Sequence, residues 1–185
     1  MHDLSRRNAV RLALLAAAAP FAASLPSIAA DRVPLAIKGY DPVAYFTDGK
    51  HVPGKPDIKA DHEGVTYRFA TAEHRDLFVG QPGKYAPQFG GFCANGIAYA
   101  IPWGGDPDTW AIIDGKLYIF GGEASRRYFM MDERQNLALA NSYWVNEVKG
   151  SQPRMQTAKR LVFRVPDYKT GKELEAEWQA KNAKK

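Results

Sequence analysis

The chain reads as an α+β domain: a small antiparallel sheet with short helices packed on it, and a C-terminal extension. Three observations carry that reading. Hairpin signals occur twice, at the His62–Gly64 turn and at Asp114–Gly115. After Glu123 the apolar residues change from strand-like alternation to helical spacing. Short elements separated by Gly and Pro dominate, with no internal repeat.

Taken in order, "DPVAYF" (Asp41–Phe46) has strand character, and the loop "DGKHVPGKP" follows it. "DIKADHEGVTYRFA" reads as a hairpin with extended arms on either side of His62–Gly64. "TAEHRDLF" has helical spacing; Thr71 is its expected N-cap, and Glu73 places an anion where the helix dipole favours one. That helix must stop near Gly80–Pro82. "TWAIIDGKLYIF" (Thr109–Phe120) is the clearest hairpin. "EASRRYFMMD" and "ERQNLALANSYWVNEV" read as two helices. Composition shifts after Val148: "KGSQPRMQTAKR" is polar and basic, "LVFRVPDY" suits a strand or an extended arm, and "GKELEAEWQAKNAKK" is a charged helix candidate. In that candidate, Leu174 and Trp178 are four apart and would clip it onto the domain or a partner.

The ends divide the chain. Arg6 and Arg7, the apolar run Leu12–Leu25 and the small residues Ser27 and Ala29 read as a twin-arginine export signal over residues 1–30, cleaved near Ala29–Ala30. The expected location is therefore the periplasm, with no stable membrane anchor after cleavage. Residues 31–147 form the main domain and 148–185 the basic extension. The formal charge of the 185 residues is +5. This mild excess does not suit nucleic acid, which leaves a denser basic footprint. A single cysteine excludes an internal disulfide.

That cysteine, Cys93, lies in "QFGGFCANG", beside Gly90 and Gly91. A thiolate there suits a metal or a nucleophile; a thiol suits a small buried hydrophobe between close backbones. His74 leans inward on its helix, sharing a face with Phe78, as a metal ligand or as a hydrogen-bonded core histidine. His62 sits in the hairpin turn beside Asp61 and Glu63. Asp41, before Pro42, is expected to tie its turn to nearby amides. Trp103 and Trp110 flank a Gly/Asp/Pro loop and either close the core or wall a ligand pocket. No Cys-x-x-Cys and no histidine pair at helical spacing is present, so a closed zinc site is not expected. A looser copper or zinc site built from Cys93, His74 and His62 is the metal-binding expectation.

"GYDPVAYF" (Gly39–Phe46) and "YRFATAEHRDLFVGQPGKYAPQFGGFCA" (Tyr67–Ala94) resemble the YHS domain family, and its exported bacterial branch in particular. The likeness extends through the Asp-Gly hairpin to Trp144 and leaves the extension outside. It implies a small α+β domain and points towards copper and other heavy metals held by cysteine ligands. At the family's cysteine positions this chain has Ala44, Ala70 and His74, and at its Tyr-His-Ser it has Ile58, Lys59 and Ala60. Of the implied ligands only His74 keeps donor chemistry. The resulting expectation is an exported YHS-like binding module for a transition metal, more a binding protein than an enzyme. The alternatives are a structural or interaction domain with a buried cysteine and a thiol-dependent enzyme.

Overall fold

In this computed structural model, residues 34–183 are described. The export signal expected over residues 1–30 and its expected cleavage point lie outside them. The elements run α1 (Ala44–Thr47), β1 (Lys55–His62), β2 (Val65–Phe69), α2 (Ala72–Gly80), α3 (Pro82–Tyr85), α4 (Ala94–Ile97), β3 (Asp106–Ile113), β4 (Lys116–Phe120), α5 (Glu123–Met130), α6 (Glu133–Tyr143), α7 (Pro153–Val162) and α8 (Gly171–Asn182). The fold is α+β.

The sheet is two separate antiparallel hairpins, β1–β2 and β3–β4. Each turn has two residues at positive φ, Glu63–Gly64 and Asp114–Gly115, the conformation that matches strand twist. The pairing sets Lys59 opposite Arg68 and His62 opposite Val65 in the first, and Trp110 opposite Ile119 and Ile113 opposite Lys116 in the second. Both hairpins carry an irregularity before the regular register, between Lys55 and Lys59 and between Asp106 and Trp110.

Strand β4 divides the interior. Successive side chains point to opposite faces. Leu117 and Ile119 join one buried cluster with Val43, Tyr45, Tyr67, Phe69, Phe78 and Tyr85. Tyr118 and Phe120 join the other, with Ile97, Ile101, Phe129 and Ala140. The first cluster lies under the β1–β2 hairpin and α2; the second joins the Ala94–Ile101 segment and β4 to residues of the later helices.

Three elements depart from the sequence expectation. "DPVAYF" is not a strand: Asp41 accepts from the amides of Val43 and Ala44, and the chain turns into α1. The basic stretch after Val148 forms helix α7, with Pro153 in its first turn, where its missing N–H costs nothing. "LVFRVPDY" is no strand either; Leu161 and Val162 end α7, and irregular chain follows. The extension is also integral to the packing. Val165 and Leu174 belong to the second cluster, and the buried Gln156 amide donates to the Ala100 carbonyl at 3.0 Å. Helix α8 begins at a capping box between Thr170 and Glu173.

Candidate functional site

Asp41 is fully buried, with 0% exposure. A buried carboxylate must be paired and hydrogen-bonded to persist, and four donors surround this one. Oδ1 accepts from the Val43 amide at 2.8 Å and the Ala44 amide at 3.4 Å. Oδ2 accepts from the Ala70 amide at 2.8 Å and meets His74 Nδ1 at 2.7 Å. One side chain therefore joins the start of α1, the end of β2 and the first turn of α2. Helix α2 is set in place by its Thr71 cap, whose hydroxyl accepts from the His74 amide at 3.1 Å.

The pairing fixes the His74 ring. An ionised carboxylate only accepts, so Nδ1 carries the proton and donates to Asp41. A neutral ring then keeps a free lone pair on Nε2. That atom lies 3.3 Å from Thr47 Oγ1 and 4.0 Å from Asp48 Oδ1. The Thr47 hydroxyl has one proton and three acceptors in reach: the Val43 carbonyl at 3.2 Å, Asp48 Oδ1 at 2.8 Å and His74 Nε2. The His74 side chain is 14% exposed, whereas Thr47 and Asp48 lie at the surface. The result is an imidazole oriented from below by a buried carboxylate and opening towards two exposed oxygen groups.

Cys93 occupies a different environment. It is 2% exposed and precedes α4; its amide donates to the Trp103 carbonyl at 2.9 Å. It bridges Ile119 on β4. Its one polar side-chain contact among the described residues is Ser125 Oγ at 3.5 Å. The neighbouring glycines are steric. Phe89, Gly90 and Gly91 all have positive φ, which turns the chain sharply before the cysteine. A Cβ on Gly105 would stand 2.5 Å from the Gly91 carbonyl oxygen, and one on Gly121 would meet the Cys93 sulfur at 3.5 Å.

His62 remains at its turn, partly exposed, with Nε2 4.0 Å from Glu63 and its ring edge-on to Phe78 at 6.0 Å. Among the described residues no three His, Cys, Asp or Glu side chains gather where one metal ion would reach them. The joint site expected from Cys93, His74 and His62 is therefore not assembled. The physical reason lies in the partners: the sulfur packs beside β4 and α5, while His74 turns to Asp41. Trp110 packs its ring against Tyr45 at 5.1 Å as part of the core rim, and Trp103 stays 37% exposed. The Tyr45 hydroxyl donates to the Pro107 carbonyl at 2.8 Å, and burial pushes its pKa well above the usual phenol range.

Asp41 and His74 are each legible in the sequence, but their pairing is not. Thr47 and Asp48 carry no motif; their one sequence signal is their position just after the Asp-Pro turn. A surface groove of about 570 Å³ beside α5 and α8, walled by Arg127, Met131 and Trp178, contains none of these residues.

The chain matches no family model, no curated protein and no solved structure. The functional reading therefore rests on the residues themselves.

Proposed function

We propose that this is an exported YHS-like binding module whose working group is His74, presenting Nε2 to a transition-metal ion such as copper or zinc. The observation that supports it is the 2.7 Å contact between His74 Nδ1 and the buried Asp41 carboxylate. Metal-binding histidines characteristically give their second ring proton to a carboxylate, which fixes the tautomer and strengthens the ligand.

The donor set favours a limited site. Metal–donor bonds are about 2 Å, so two donors on one tetrahedral ion stand about 3.3 Å apart, and a pair about 4 Å apart shares one after closing by several tenths of an ångström. His74 Nε2 and Asp48 Oδ1 are 4.0 Å apart, with the Thr47 hydroxyl beside them. Two protein donors and one hydroxyl suit an exchangeable ion completed by water or by a partner, rather than a closed structural centre. Cys93 is outside this set.

A second reading, a non-catalytic structural or interaction domain, is favoured by the burial of Cys93 and by the saturated hydrogen bonding of Asp41, which would make the Asp41–His74 pair a clasp. A thiol-dependent enzyme has less support, because the polar neighbour of the sulfur is a serine hydroxyl and not an imidazole.

Calorimetric titration of copper(II) or zinc into the chain separates these readings. The metal reading expects one ion per chain, affinity lowered by about tenfold or more in His74→Gln, and affinity unchanged in Cys93→Ser. Absence of uptake favours the clasp, and loss of uptake in Cys93→Ser alone overturns the assignment to His74.

A further inference from the structure

Helix α7 is inverted. Most surface helices turn an apolar stripe inward and polar residues outward. In α7 the inward residues are polar: Gln156 is buried and bonds the Ala100 carbonyl, and the Arg160 guanidinium, 14% exposed, pairs with Glu147. Met155, Ala158 and Val162 follow at i, i+3 and i+7 on the outward side, with Leu161 beside them. Met155 is 67% exposed, Val162 73% and Leu161 54%, and Phe163, just past the helix end, is 68% exposed. Scattered surface hydrophobes need no explanation, but a contiguous ridge of them marks a contact surface.

The charge around the ridge indicates what it contacts. From residue 148 to 166 the chain has five cations, Lys149, Arg154, Lys159, Arg160 and Arg164, and no Asp or Glu. Glu147 is shared by Lys159 and Arg160. Lys149, Arg154 and Arg164 form no ion pair among the described residues; Arg164 instead lies over the Tyr168 ring at 4.8 Å. An apolar ridge beside Lys149 and Arg154, which no carboxylate pairs among the described residues, complements a surface with anionic headgroups above an apolar layer.

We infer that the α7 ridge docks reversibly on a bilayer containing anionic phospholipid, with Val162 and Phe163 entering the headgroup–acyl boundary while Arg154 and Lys149 meet the headgroups. This is peripheral contact. No helix among the described residues is long and apolar enough to cross a membrane. The inference is independent of His74.

The test is co-sedimentation with vesicles of equal parts phosphatidylglycerol and phosphatidylcholine, and with phosphatidylcholine alone. The chain used begins at Asp31, because the apolar N-terminal run would itself bind lipid. The described residues all fall in one compact unit, so this chain retains the fold. The inference expects binding to the mixed vesicles, little to the neutral ones, and weakening with salt. Replacing both Val162 and Phe163 by Ser lowers partitioning by about tenfold or more. Replacing Lys149 and Arg154 by Gln lowers it by about thirtyfold. All four residues are exposed, so unchanged thermal melting confirms intact variants. Binding equal on both vesicles, binding indifferent to the Val162/Phe163 replacements, or no binding would overturn the inference. So would self-association abolished by those replacements without lipid partitioning, which would make a second copy the partner.

Discussion

The surroundings of Asp41 and of Cys93 differ in one decisive respect. Around Asp41 the fold gathers donors: three amides and an imidazole, from three elements, converge on one carboxylate. Around Cys93 it gathers close backbones, and one hydroxyl at 3.5 Å is the sulfur's polar company. A residue with reactive chemistry is informative only with its partners. The lone cysteine is the more conspicuous in sequence, yet the histidine is the one that the structure orients.

The strongest way to break this contrast is at Asp41. Asp41→Ala strands buried amides and frees His74, and should cost about 4 kcal/mol in urea unfolding, with Asp41→Asn costing about half as much. A loss below about 1 kcal/mol would show that the hub is not structural. Next comes the steric claim at the other region. Gly105→Ala drives a methyl into the Gly91 carbonyl and should cost about 3 kcal/mol. A neutral result would mean the glycines do not enforce close approach.

Cys93→Ala should cost only about 1–2 kcal/mol, the loss of a small buried group. A smaller effect still separates a part-buried charge pair from the fully buried one. Hydrogen bonding from Arg160, first, and then Lys159 holds the Glu147 carboxyl below its ordinary value. A depressed folded pKa adds stability above the unfolded value near 4.5 and loses it as pH falls through the lower folded one. Acid unfolding below that value should therefore be less steep in Glu147→Gln, by about 1 kcal/mol in total. An unchanged acid limb would mean the pair contributes nothing.

Much of the fold was legible because its signals are local. Asp114–Gly115 specifies its turn through two positive φ values, and Thr71 marks the start of α2 through its hydroxyl. Segments whose structure depends on distant partners were not. Residues 44–47 have strand-like composition, but Asp41, accepting from the Val43 and Ala44 amides, turns the chain into α1. Helix α7 shows no inward apolar stripe to find, because its inward anchors are the buried Gln156 and the part-buried Arg160. The Asp41–His74 pair spans 33 positions and becomes visible only when β2 and α2 fold over α1. The inward lean of His74 was readable from helical spacing; the acceptor it finds there was not.

The central claim is that Asp41 holds His74 with Nδ1 protonated and Nε2 available. Long-range nitrogen–proton NMR of the imidazole, recorded before and after adding zinc, tests it directly. The account predicts a His74 Nδ1–H tautomer whose Nε2 resonance alone shifts strongly on metal addition, in wild type and in Cys93→Ser alike. An Nε2–H tautomer, or metal uptake that leaves His74 unperturbed, would contradict it.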